Sequence, residues 1–79
     1  MSASVTVRYF AGAAQAAGAP SATLCANTVD ELQDLIASHI GTGVLRQCTL
    51  LVDGRPNPPG LTPLVDGTIV DVLPPFAGG

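Results

Sequence analysis

Apolar and polar positions alternate from the start of the chain. In SVTVRYF, Ser4 to Phe10, Val5, Val7 and Tyr9 fall on one side of an extended backbone, and Thr6, Arg8 and Phe10 fall on the other. The β-branched and aromatic content, with Gly12 just beyond, predicts a strand. SATLCA, Ser21 to Ala26, predicts a shorter second strand. Between the two, the alanines around Gln15 suffice for one helical turn, stopped by Gly18 and Pro20. The period then changes. Val29, Leu32, Leu35, Ile36 and Ile40 trace one apolar stripe of a helix over residues 29–40. Thr28 is its N-cap, Glu31 completes a capping box, Asp30 and Glu31 suit the positive end of the dipole, and Gly41 stops it. Extended pattern resumes at Thr49 to Val52. Asp53-Gly54 then predicts a hairpin turn, followed by a short return strand that Pro56 confines to a sheet edge. A proline-studded loop, PNPPGLTPL, leads through the turn VDG to the last strand, Thr68 to Leu73, which ends where Pro74 and Pro75 remove ladder donors.

The order is strand, strand, helix, strand, short strand, strand. One amphipathic helix packed across a mixed sheet of about five strands is a two-layer α+β domain. A strand pair, a helix and further strands is the connectivity of the ubiquitin-like β-grasp, in which the first and last strands lie side by side in mid-sheet. Residues 1–75 would form this domain, and residues 76–79 a C-terminal Gly-Gly tail leaving it in an extended, polyproline-like exit. If Val5, Val7, Tyr9, Val70 and Val72 face the helix, then Thr6, Arg8, Phe10, Ile69, Asp71 and Leu73 share the opposite face. Phe10, Ile69 and Leu73 become an exposed apolar patch suited to a partner, with Arg8 and Asp71 close together across the strands.

Composition narrows the function. Of 79 residues, 47% are apolar and only 11% charged, against about 25% charged in ordinary soluble proteins, so part of the surface is expected to be covered by a partner. There is no lysine. Arg8, Arg46 and Arg55 form no basic run and the net charge is −3, which argues against nucleic acid and against an anionic membrane surface. No apolar run is long enough to span a bilayer, and the first residues lack the pattern of a secretion signal, so a cytoplasmic protein is expected. Cys25, Cys48 and His39 have no metal-site spacing. The cysteines read as reduced, buried thiols, and His39 as a favourable charge near a helix C-terminus with no catalytic role. No bound cofactor or metal is expected.

The end of the chain, PPFAGG, carries the chemistry. Gly78 and Gly79 have no side chains, so a narrow channel admits them and another backbone can approach closely. The reactive group at the tip is the Gly79 carboxylate, ionised at neutral pH and a poor acyl donor until activated. Adenylation by ATP is the simplest activation. The chain has no P-loop and no acid–base constellation for that step, so a separate enzyme would perform it and use the ATP.

VTVRYFAG, TVDEL and PLVDGTIVDVLPPFAGG together resemble the sulfur carriers of the ThiS/MoaD family, and most of all the small subunit of molybdopterin synthase. The resemblance covers nearly the whole chain. It departs from the family at AAQAAG, at VDGRPNPPG and at Thr68, where an acidic residue is common. It implies a protein not catalytic alone. A ubiquitin-activating-like adenylyltransferase would adenylate Gly79, and a sulfur donor protein would convert it to a thiocarboxylate. Gly78 and Gly79 would then thread into the large synthase subunit, in a heterotetramer of two small and two large subunits, to build the molybdopterin dithiolene. Arg8, Phe10, Ile69, Leu73, Phe76 and Ala77 are the candidate partner-binding residues. Alternatives are sulfur transfer for thiamine thiazole or another pathway, a ubiquitin-like protein modifier, and an interaction domain whose tail carries no chemistry.

Overall fold

The computed structural model describes residues 2–75. The elements are β1 (Ala3–Tyr9), α1 (Gly12–Ala17), β2 (Ser21–Ala26), α2 (Val29–Ile40), α3 (Thr42–Gln47), β3 (Thr49–Val52), β4 (Arg55–Pro56) and β5 (Ile69–Leu73). The strands form one sheet in the order β2-β1-β5-β3-β4. β1 and β5 are parallel and central, and every other pair is antiparallel. With α2 across one face, this is the mixed α+β ubiquitin-like β-grasp expected from the pattern.

Strict alternation in β1 drives Ala3, Val5, Val7 and Tyr9 into the core and leaves Ser4, Thr6 and Arg8 outside. Val70 and Val72 of β5 and Leu50 and Val52 of β3 join them, and Val29, Leu32, Ile36 and Ile40 of α2 close the layer from above. Leu35, read as part of that stripe, is 37% exposed. It stands at the rim, because four residues already fill the width of the helix face that the sheet can cover.

The N-terminus of α2 is capped twice over. Thr28 Oγ1 accepts from Glu31 N–H at 3.3 Å, and Glu31 Oε1 reaches back to the N–H of Asn27 at 3.0 Å, one residue earlier than in a standard capping box. The proline-studded loop supplies further acceptors. Val29 N–H donates to Thr62 O and Asp30 N–H to Gly60 O, at 3.1 and 2.8 Å, so helix donors that would otherwise lack partners are satisfied by backbone. Asp53 (φ 48°) and Gly54 (φ 85°) form the two-residue hairpin turn that Asp-Gly favours.

Four expectations are corrected. Gly41 ends α2 but not the helical region, since α3 follows at once; its six residues carry no capping side chain for the sequence pattern to reveal. The thiols are not both buried: Cys25 points from edge strand β2 and is exposed, and Cys48 is half-buried. β1 stops at Tyr9, one residue before Phe10, and Thr68 precedes β5 as a buried turn residue whose hydroxyl donates to Val65 O at 2.7 Å. No helix among the described residues is long and apolar enough to cross a membrane.

Candidate functional site

The parallel pairing of β1 with β5 sets Thr6 beside Ile69 and Arg8 beside Asp71. Phe10 continues the row past the end of β1, its N–H donating to Val72 O at 3.2 Å. Antiparallel pairing carries the face onward, from Asp71 to Leu51 and from Leu73 to Thr49. The six residues expected on the outer face therefore lie there together.

Arg8 and Asp71 meet side-on. Arg8 Nε is 2.5 Å from Asp71 Oδ1, and Nη2 is 2.9 Å from Oδ2. This fork uses both carboxylate oxygens and fixes the guanidinium plane. The hydrogen bond from Asp71, and then its charge, hold the Arg8 guanidinium above its usual range. Apolar side chains flank the pair. Phe10 is 39% and Ile69 42% exposed, whereas Leu73, expected to be exposed, is half-buried. Leu51, opposite Asp71, adds a half-buried aliphatic group that the sequence reading missed. Consecutive apolar residues in TLLV hide which leucine faces out, and only the register shows it.

Pro74 and Pro75 carry the chain away from β5 beside a groove of about 320 Å³ walled by Ala13 of α1 and by Val44 and Cys48 at α3. Burial pushes the Cys48 thiol up, and its Sγ donates to Val44 O at 3.2 Å. A larger depression of about 580 Å³ opens on the helix side, between α2, α3 and Asn57, away from the Arg8–Asp71 face. Phe76, Ala77, Gly78 and Gly79 lie outside the described residues. His39 sits exposed in the last turn of α2 and lines neither depression.

What the arrangement can do is dock and present. An outer sheet face with apolar groups around one ion pair offers shape and a single polar anchor. β5, which carries Asp71, leaves that face at Leu73 and continues into Pro74 and Pro75.

A model of the ThiS family matches residues 7–79. Among solved structures, small archaeal modifier protein 1 from Methanosarcina acetivorans superposes with a TM-score of 0.78 at 23% identity, over 100% of this chain and 99% of that one. The protein of the same name from Haloferax volcanii gives 0.78 at 21% identity, over 96% and 99%. At these identities the likeness is one of fold. The complex of subunits 1 and 2 of molybdopterin-converting factor from Helicobacter pylori contains a chain similar at 27% identity, with a TM-score of 0.75 over 96% of this chain and 99% of that one. No curated protein matches the sequence.

Proposed function

The chain belongs to the ThiS family, and from that premise we propose that it carries sulfur as a thiocarboxylate on Gly79 and delivers it, as the small subunit of a molybdopterin synthase, to form the molybdopterin dithiolene. The observation that carries the reading is the family match running through to residue 79, so that it includes the Gly-Gly end where the acyl chemistry takes place. The likeness to a chain of the molybdopterin-converting factor complex supports the choice of pathway.

Chemically, the Gly79 carboxylate attacks the α-phosphorus of ATP on a separate adenylyltransferase. Pyrophosphate leaves, and an acyl-adenylate forms. A sulfur donor protein then delivers sulfide-level sulfur, as hydrosulfide, to the acyl carbon; the acyl–phosphate bond breaks, AMP departs with its electron pair, and the thiocarboxylate remains. This chain contributes no catalytic side chain to either step. Its part is to be held: Arg8, Phe10, Ile69 and Leu73 dock on the adenylyltransferase and the large synthase subunit in turn, and Phe76 and Ala77 guide Gly78 and Gly79 into each active site. The chain itself binds neither cofactor nor metal.

A second reading is favoured by the likeness to the archaeal modifier proteins. Up to the adenylate the chemistry is the same, and a lysine amine of a target protein then replaces the sulfur donor.

The deciding experiment is an intact mass of the chain purified from its own cells. A fraction heavier by the difference between one sulfur and one oxygen, mapped to Gly79, is expected. A chain that stays the free carboxylate with adenylyltransferase, ATP and sulfur donor supplied overturns the sulfur reading. Isopeptide-linked conjugates ending in Gly79 would establish the modifier reading. One residue added after Gly79 should abolish either chemistry while leaving docking intact.

A further inference from the structure

The two edges of the sheet differ. β4 is two residues long and contains Pro56, which has no N–H, and Arg55. Such an edge resists pairing. β2 at the other edge has six residues, Ser21–Ala26, with no charge and no proline. Among the described residues its one strand neighbour is β1.

The direction of its free groups follows from the hydrogen bonds. Thr6 N–H donates to Thr68 O, toward β5, and Tyr9 N–H donates to Pro20 O, toward the β2 side. Amide directions alternate along a strand, so Val5 and Val7 face β2, where their partners are Leu24 and Ala22. Ser21, Thr23 and Cys25 therefore turn their N–H and C=O groups out of the sheet. Among the described residues, no backbone or side-chain group takes these three amides. Beside them on the helix side, Ala22 and Leu24 are only half-buried.

We propose that β2 pairs with β2 of a second copy of this chain, antiparallel about a two-fold axis through Thr23, joining two sheets into one of ten strands. In this register Thr23 faces Thr23 of the other copy, and Ser21 faces its Cys25. These three hydrogen-bonded pairs exchange two bonds each and take up all the outward amides. Thr opposite Thr is a favourable cross-strand pair. Leu24 comes opposite Ala22 of the other copy and completes the cover of both. A second copy is the occupant because the strand is self-complementary and uncharged: two chains of net charge −3 meet here without like charges facing each other. The axis is perpendicular to the sheet, so both helix layers lie on one side and both Arg8–Asp71 faces stay open on the other. One six-residue strand pair buries less than a standard interface, so the dimer is weak, with a Kd of roughly 0.1–1 mM.

The proposal is independent of the chemistry at Gly79, and its test needs only the purified chain. Sedimentation equilibrium and amide exchange would be followed from about 20 μM to about 2 mM, a hundredfold range that spans the expected Kd. The expected result is a monomer–dimer equilibrium in which the amides of Ser21, Thr23 and Cys25 gain protection with concentration. Thr23→Pro removes an outward N–H that bonds nothing within the chain. Thr23→Lys sets two ammonium groups against each other at the axis. Both should keep the β1–β2 ladder, seen in its unchanged slow amides, and both should remain monomeric. A monomer throughout the range overturns the proposal, as does a dimer that both variants retain. Protection of these amides only when the large synthase subunit is added would assign the edge to a partner's strand and overturn self-pairing.

Discussion

Arg8 and Asp71, from the two ends of the chain, lie side by side in parallel strands with their charged groups joined at 2.5 and 2.9 Å. The pair occupies the middle of an otherwise uncharged outer face. Half of the Arg8 side chain remains in contact with water. Exposed ion pairs contribute little to folding, so its weight falls on orientation of the proposed docking face. Arg8→Ala and Asp71→Ala should therefore each shift the denaturation midpoint slightly. The coupling measured in a double-mutant cycle should disappear in about 1 M salt, where the Debye length is about 3 Å. A coupling that survives such salt would show that the pair is shielded from solvent.

Phe10 tests the proposed docking face directly. It is an exposed aromatic beside the pair. Phe10→Asp should fold, because the ring is not part of the core, and should weaken binding to the large synthase subunit by about thirtyfold, the loss typical of a hot-spot aromatic. Titration calorimetry reads this. Unchanged affinity in a folded variant would remove Phe10 from the interface.

A side chain at Gly60 should displace the Asp30 carboxylate. A Cβ there would fall within the Asp30 carboxylate. The same backbone accepts Asp30 N–H at 2.8 Å, so the loop cannot retreat without uncapping α2. Gly60→Ala should cost only about 0.5 kcal/mol, because Asp30 is exposed and its carboxylate can rotate into solvent to make room. Asp30→Ala in the same chain should restore most of it. Urea denaturation of the two single variants and the double variant checks both statements.

Tyr9 gives the protein an alkaline limit. The ring is 5% exposed, its hydroxyl has no hydrogen-bond partner among the described residues, and burial pushes the phenol up. Below about pH 10 the phenol is protonated in both folded and unfolded chains. Above that value the unfolded chain releases its proton first, so stability falls as pH rises toward the folded pKa. Burial raises the Cys48 thiol in the same sense, beginning at lower pH. Tyr9→Phe should remove the limb above pH 10 while leaving the Cys48 contribution. It should also raise stability at neutral pH by about 1 kcal/mol, by deleting an unsatisfied buried hydroxyl. The chain has no other tyrosine to blur the result.

Each element with a strong local signal was legible in the sequence. The alternation of VTVRY sorted its own residues between core and solvent, and the spacing of Val29, Leu32, Ile36 and Ile40 did the same for α2. Thr28, Asp53-Gly54 and Pro56 marked a cap, a turn and an edge, because each acts through its own backbone conformation or hydrogen bond. The side-by-side placement of the first and last strands followed from the expected topology, and with it the association of Arg8, Phe10, Ile69 and Asp71. What tertiary structure decided was everything set by a neighbour distant in sequence. α3 has neither caps nor a long stripe and is held by packing against α2 and α1. Leu51 faces outward because β3 registers on Asp71. Leu35 is left at the rim, and Cys25 at an open edge, by the finite width of the sheet. Local pattern carries the preference of each residue for water or for apolar surroundings; only the assembled layers determine how much apolar surface there is to meet it.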